Sequence, residues 1–381
     1  MRNLWYFGLE PLKERYTYQL SEQWIPETFK SKKINFIQLR GEIETNEIRV
    51  GSVLDAYGRG VYSMSQCQQL MNAISGGIVK TGDILYLQDF WTPGIESVFY
   101  MLDLYNIKVD VYSMLHAQSV DEYDFTHPMR KWMRHFELGI DAYHKGIFVG
   151  SGIHKQQLRE AGFKAPIHVV GLPIHAELAV KTCEKIYAKR DQIIYTSRLD
   201  KEKNPYFMVE TALRFLRENT DYKWVVTTSG SEFKSSIPGF VDYMKYIASE
   251  NDRFILKAGL SKEEYYTELQ KSKVQFNSAL QDYVSWTLIE ATLFDCDVCY
   301  PDFRSFPEIL NPDRLYQPFK VESAVKVLND CIHKRQQHHN VAYICDLGRK
   351  LKTYIMLNDI GNQEFNVWHE HYYISKLIEK C

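Results

Sequence analysis

Short apolar runs alternate along this chain with longer stretches in which apolar positions recur at three- and four-residue spacing. The first pattern predicts buried strands and the second amphipathic helices; their alternation predicts strand–helix units feeding a parallel sheet. In the first half strands are expected at Leu4–Phe7, Asn35–Gln38, Ile84–Leu87, Val109–Ser113, Gly146–Val149 and Ile167–Val170. A second series is expected at Gln192–Thr196, Trp224–Thr228, Arg253–Lys257, Val274–Asn277 and Val298–Tyr300. The chain therefore reads as two similar α/β domains, residues 1–174 and 175–358, with a linker near Pro173 and a charged helical stretch from Ala176 to Lys189.

In open parallel sheets ligands collect beyond the carboxyl ends of the strands. Four strand ends carry candidate residues. After Ile84–Leu87 come Asp89, Phe90, Trp91 and Thr92, then a helix beginning near Pro93. After Gln192–Thr196 comes Ser197-Arg-Leu-Asp-Lys-Glu-Lys203-Asn-Pro205, which sets two cations, Arg198 and Lys203, before a helix start at the proline. That arrangement suits a diphosphate, and equally a solvated charged turn. After Val274–Asn277 comes Asp282, then a helix expected from about Ser285 to Thr287, with Glu290 one turn into it. A carboxylate before a helix, free amides at its first turn and a second carboxylate within it could hold hydroxyls and anionic oxygens together; a plain capped helix with an exposed glutamate fits the same residues. Gly230 closes the turn after Trp224–Thr228, where backbone can approach a ligand.

Composition narrows the classes. A chain of 381 residues exceeds a single small core. It is 45% apolar and 25% charged, with 26 Tyr and 20 Phe, which argues against extensive disorder. With 46 basic against 48 acidic residues the net charge of −2 provides no global field toward nucleic acid or acidic lipid, so polyanion binding would have to be local. Seven scattered cysteines suit a reducing compartment, and a cytoplasmic location is expected. Cys296 and Cys299 form a C-x-x-C without a second pair, in a segment that reads as a helix end entering a buried strand; core cysteines are expected rather than a zinc or redox site. No signal peptide and no membrane-length apolar run is read from the sequence.

The order of these pieces resembles the C-terminal half of the family-four retaining glycosyltransferases, which have the GT-B fold: two Rossmann-like domains whose parallel sheets face each other across a cleft. The resemblance rests on Ser197-Arg-Leu-x-x-x-Lys203-x-Pro205, on the strand ending Ser229-Gly230-Ser231, on Ala258-Gly-Leu-Ser261 with Leu269-Gln-Lys-Ser272, on the acidic-x7-Glu spacing of Asp282 and Glu290, and on Phe306-Pro-Glu-Ile309. Phe365-Asn-Val-Trp368 is similar to the family's closing motif, which implies a helix over 359–381 packing back on the first domain. The resemblance implies a nucleotide-diphosphate sugar as donor, transfer with retention, and no metal or other cofactor. It further implies Arg198 and Lys203 on the diphosphate, Glu290 on the ribose, Ser197, Gly230 and Thr287 about the nucleotide, and Asp282 facing the sugar. The family usually has glutamate where this chain has Asp282, and glycine near Tyr283 and Ser285.

The first half matches more faintly, through Tyr112-Ser-Met-Leu-His116-Ala-Gln-Ser and Phe148-Val-Gly-Ser-Gly-Ile-His-Lys155. His116 corresponds to the family's histidine that contacts the donor sugar, and Gly8 is what remains of its glycine-rich first loop. Acceptor binding would fall to this half, with Asp89, Trp91 and Arg130 as candidates. Arg130, Lys131 and Arg134 could grip phosphates, and Phe90 and Trp91 could stack on a base, so an enzyme that glycosylates a modified base in DNA is one alternative. A sugar-nucleotide epimerase of the same fold, or a sugar-nucleotide-binding protein without catalysis, is another.

Overall fold

The computed structural model describes residues 2–12, 16–29, 34–44, 56–116, 118–124, 126–172, 174, 176–186 and 188–333. Contacts divide the chain into two compact units, the first of which ends its main segment at Ile174. The expected closing helix over 359–381, with Phe365 and Trp368, lies outside the described residues, as does Pro173.

Unit 1 contains strands β1 (Arg2–Phe7), β2 (Ile34–Leu39), β3 (Ile84–Leu87), β4 (Asp110–Met114), β5 (His144–Val149) and β6 (Ile167–Val169). They form one sheet, ordered β2-β1-β3-β4-β5-β6, with every neighbouring pair parallel. The period of two decides both faces. Trp5, Phe7, Leu85, Leu87, Val111, Ile147 and Val149 point into one apolar cluster with the helices Ala56–Ser75 and Ile95–Leu104. The intervening residues on the other face are aromatic: Tyr6 stacks on Tyr86 at 5.7 Å and Tyr112 on Phe148 at 5.8 Å. Much of the aromatic richness of the composition is thus spent in packing, where each fully buried ring stabilises the fold by about 2–3 kcal/mol.

Unit 2 contains β7 (Gln192–Tyr195), β8 (Lys223–Thr227), β9 (Phe254–Lys257), β10 (Val274–Phe276), β11 (Asp297–Pro301) and β12 (Leu315–Tyr316), all parallel in the order β12-β11-β10-β7-β8-β9. Its longest described helix, Pro205–Glu218, illustrates how local chemistry sets an element. Pro205 occupies the first turn, where its missing N–H costs nothing, and Asn204 before it takes the left-handed conformation at φ 49°. Met208, Ala212 and Phe215 recur on the face buried against the sheet. Asn219 ends the helix, its side-chain amide donating to the Phe215 carbonyl at 3.0 Å.

The switch points follow from the strand orders. In unit 1 successive connections run to opposite sides of β1, which leaves a crevice between the carboxyl ends of β1 and β3; in unit 2 the corresponding crevice lies between β7 and β10.

Two expectations are corrected. Among the described residues of the stretch Ala176 to Lys189, the helix covers Ala176–Val180 alone. Beyond it the Gln270 side chain competes for the backbone, accepting from Ile186 N at 2.8 Å and donating to the Glu184 carbonyl at 2.8 Å, so this segment is laid along the helix Lys262–Lys271 instead of coiling further. Strand β12 has no counterpart in the sequence reading, because two residues carry no period. Cys296 and Cys299 are fully buried in unit 2, and burial pushes the Cys296 thiol up to about 12.

Candidate functional site

The β7/β10 crevice is lined from both strands. Beyond β7 a short 3-10 turn, Lys201–Lys203, turns the chain back and carries Lys203 inward. Its ammonium donates to the Gln281 carbonyl at 2.7 Å and pairs with Asp282 at 3.1 Å, while its own carbonyl accepts from Ser278 at 2.7 Å. Lys203 thus ties the β7 loop to the β10 loop. Asp282 is fixed from the far side as well, its carbonyl accepting from Ser305 at 2.9 Å. Arg198 is the exposed partner: it pairs with Asp200 at 3.0 Å and Glu202 at 2.8 Å, and 47% of its side chain is accessible. Asp200 is buried, accepts from Ser236 N at 2.9 Å and so holds that pairing in register. Neither expected cation is bare; each is aimed by carboxylates of its own loop or of the loop beside it.

Glu290 departs most from a simple reading of the helix. Within the helix Trp286–Leu293 it is only 3% exposed, so the alternative of a capped helix with an exposed glutamate is overturned. The cost of burying its charge is offset by three donors from the helix Lys262–Lys271: Lys262 Nζ at 2.7 Å and Tyr266 at 3.2 Å to Oε1, and Tyr265 at 2.9 Å to Oε2. These three residues were not singled out from the sequence. The helical spacing of Lys262, Tyr265 and Tyr266 was available to find them, but which neighbour they face was not.

The remaining nucleotide candidates sit nearby with modest roles. Ser197 accepts from the Asn277 amide at 3.2 Å across the crevice. Thr287, in the first helical turn, shares hydrogen bonds with Ser285 at 2.9 Å and with Tyr300 at 3.3 Å. Gly230 is on a different strand end, that of β8, where its carbonyl accepts from Gly259 N at 2.7 Å and joins the β8 turn to the β9 turn.

Unit 1 gathers its own polar cluster at the β1/β3 crevice. Arg59, on the helix Ala56–Ser75, is its centre: the guanidinium pairs with Glu10 beyond β1 at 2.9 Å, lies 3.5 Å from Asp89 beyond β3, and donates to the Trp91 carbonyl at 3.0 Å. His116 Nε2 lies 3.0 Å from the Gln88 carbonyl, and burial lowers the pKa of the ring against the opposing pull of Asp89. Asp89 and His116 are therefore brought to one place, with Glu10 and Arg59 as members the sequence reading did not name. Arg59 lacks any local signal, because its partners are remote in sequence.

The side chains of Trp91 and Arg130 make their contacts outside this cluster. Trp91 stacks on Phe136 at 4.9 Å and donates to Glu137 at 3.2 Å, clasping the helix Arg130–Asp141 to the sheet. Phe90 is completely buried, so the idea that it stacks on a base is overturned. Arg130 is exposed and donates to the His127 carbonyl at 3.2 Å; Arg134 donates to the Ala161 carbonyl at 2.6 Å. Trp132, 55% exposed, projects beside Arg130 and Lys131. Gly8 serves packing: a Cβ there would lie 3.1 Å from Ser21 Oγ, the atom that accepts from Leu9 N at 3.0 Å. Among the described residues no cluster of three or more His, Cys, Asp or Glu side chains is arranged to hold a metal ion, and no helix is long and apolar enough to cross a membrane.

With two parallel six-stranded sheets in hand, comparison decides the architecture. Sucrose-phosphate synthase from Thermosynechococcus elongatus superposes over the whole of both chains with a TM-score of 0.59 at 11% identity. HepE from Anabaena, in complex with UDP and glucose, likewise matches over the whole of both chains, with a TM-score of 0.57 at 11% identity. The chain has the GT-B fold. In sequence, it is 24% identical over 152 residues to a tRNA-queuosine alpha-mannosyltransferase from Drosophila melanogaster. That match spans 40% of this chain and 39% of the relative. No family model matches the chain.

Proposed function

We propose that this GT-B chain is a glycosyltransferase that moves a sugar from a nucleoside-diphosphate sugar to an acceptor hydroxyl, with retention and without a metal. The observation that carries the reading is the convergence, at the β7/β10 crevice, of the Lys203–Asp282 pair at 3.1 Å and a buried Glu290 on the next helix. Solved structures of the same fold support the donor class; HepE was determined with UDP and glucose.

Each residue has a physical task in this reading. Breaking the sugar–phosphate bond leaves negative charge on the diphosphate, so Arg198 and Lys203 stabilise the departing group more than the bound donor. Their pairing with Asp200, Glu202 and Asp282 removes the need to reorganise during the reaction. Glu290 accepts from the ribose, the amides about Thr287 face anionic oxygen, and Asp282 faces the sugar. His116, kept neutral by burial, serves as a hydrogen-bonding group to the donor sugar, and Glu10, Arg59 and Asp89 receive the acceptor. Free cysteines at five described positions suit a reducing, cytoplasmic setting.

A panel of UDP- and GDP-sugars, with release of nucleoside diphosphate as readout, tests the reading. Turnover should fall by about two orders of magnitude in Lys203→Ala, since one such donor is worth ~3 kcal/mol in the transition state. Unchanged turnover in Arg198→Ala and Glu290→Ala together would remove this site assignment. Binding of a nucleotide sugar without release in any combination would leave the non-catalytic alternative.

A second reading concerns the acceptor: a modified base within nucleic acid. It is favoured by the exposed Trp132 flanked by Arg130 and Lys131, and by the sequence relative that acts on a tRNA nucleoside. Binding of DNA or RNA oligonucleotides that weakens steeply with salt would support it. No binding at low salt would end it.

A further inference from the structure

Glu290 is engaged more completely than a waiting ligand site requires, and the way its bonds are divided has a consequence for nucleotide choice. A carboxylate offers about four acceptor positions, two on each oxygen. Oε1 has both taken, by Lys262 Nζ at 2.7 Å and by Tyr266 at 3.2 Å. These two donors are anchored. Tyr266 is completely buried and stacked on Phe294 at 4.3 Å, and the Lys262 ammonium lies 5.0 Å and 5.1 Å from the centres of the Tyr265 and Tyr266 rings. Oε2, by contrast, accepts one hydrogen bond among the described residues, from Tyr265 at 2.9 Å. Tyr265 is half-buried, with the Thr196 side chain, one residue past β7, among the polar groups about its hydroxyl. Burial and the adjacent Glu290 charge raise the Tyr265 pKa, so the phenol remains a donor.

We infer that the Tyr265 hydroxyl is a built-in stand-in for one of the two ribose hydroxyls, and that its displacement by the donor limits how strongly this site favours ribonucleotides over deoxyribonucleotides. The inference rests on the reading that Glu290 accepts the ribose. A single ribose hydroxyl can use the second position on Oε2 while Tyr265 stays. A vicinal diol needs both positions, so its second hydroxyl replaces a bond that already exists and gains little by doing so. Removing the Tyr265 hydroxyl frees that position without touching the anchored side of the carboxylate.

The test is calorimetric binding of UDP and GDP and their 2′-deoxy forms to the full chain and to Tyr265→Phe, which keeps the ring. In the unaltered protein the ribo form should bind within about threefold of the deoxy form for whichever base is preferred. In Tyr265→Phe the ribo form should bind about tenfold more tightly than before while the deoxy form is unchanged, so the ratio widens. A ribo affinity that is unchanged or weaker in Tyr265→Phe, with the ratio unaltered, overturns the inference and makes Tyr265 a purely structural neighbour. Glu290→Gln separates the two levels. If adding it leaves the ribo-to-deoxy ratio where it was, both in the otherwise unaltered protein and in the Tyr265→Phe variant, Glu290 does not meet the ribose and the underlying site reading fails first.

Discussion

The polar clusters of the two units occupy the same topological position, a switch point between parallel strands, yet they are built differently. In unit 2 Arg198, Asp200, Glu202 and Lys203 lie within one short loop, and Asp282 and Glu290 lie within another loop and the helix that follows it. Arg198 is paired there by sequence neighbours, while Lys203 bridges one loop to the other. In unit 1 Arg59 comes from a helix face and holds together Glu10 and Asp89, residues 49 and 30 positions away. A site made of loops can vary its ligand while the sheet stands; a site pinned by one long-range guanidinium couples recognition to the stability of the domain.

That contrast can be broken by exchanging the two effects. The largest expected change is functional: Lys203→Ala should lower turnover about a hundredfold, with a much smaller effect on melting, because the bonds it loses tie two loops together and not two core elements. Turnover and thermal melting of the same variant check it; a variant that melts early and turns over normally reverses the comparison. Arg59→Ala should do the opposite first. It leaves the carboxylates of Glu10 and Asp89, both largely removed from solvent, without their cation, and should cost about 3 kcal/mol in denaturant unfolding. Arg59→Lys should recover only part of that, since one ammonium cannot span Glu10, Asp89 and the Trp91 carbonyl.

A smaller effect separates the units by pH. The histidines whose pKa burial lowers are His116, His144, His154 and His168, all in unit 1, with His144 brought to about 4 and His154 to about 3. In the unfolded chain these rings take up protons below about pH 6.5, while in the folded unit they do so only at lower pH. The stability they provide is therefore full above pH 6.5 and is lost as pH falls toward their folded values, by about 2 kcal/mol per deeply shifted ring at pH 5. Asp124 has the opposite sign: burial raises it to about 7, so the folded unit holds a proton that the unfolded chain has lost, and stability rises as pH falls from 7 toward 4. Hydrogen exchange at pH 7 and pH 5 should show β4 and β5 losing protection before β7 and β8, and Asp124→Asn should flatten its own opposing contribution. Equal loss in both units would show that the buried rings do not govern acid stability.

Much of the architecture was legible because it depends on local periodicity. Eleven of the twelve strands in the two sheets are foreshadowed by apolar runs, with edges displaced by a residue or two. The helix starts at Pro205 and Trp286 follow from a proline's fixed φ and from polar residues ahead of an apolar stripe. The unit 2 site was legible for the same reason, its charges being spaced within single loops. What was not legible depended on side chains reaching across the fold: Gln270 straightening the segment after Val180, Phe90 turned fully inward to pack, the stacking of Trp91 on Phe136, and Arg59 recruited from a helix whose sequence does not announce its partners.

The sequence by itself determined the two alternating series, the loops that carry Arg198, Lys203, Asp282 and Glu290, and the near-balance of charge. Only the tertiary structure decided which of those charges face one another. Hydrophobic periodicity is written into consecutive residues, whereas the burial of Glu290 beneath Lys262, Tyr265 and Tyr266 arises when two helices pack and a carboxylate removed from water must find its donors there.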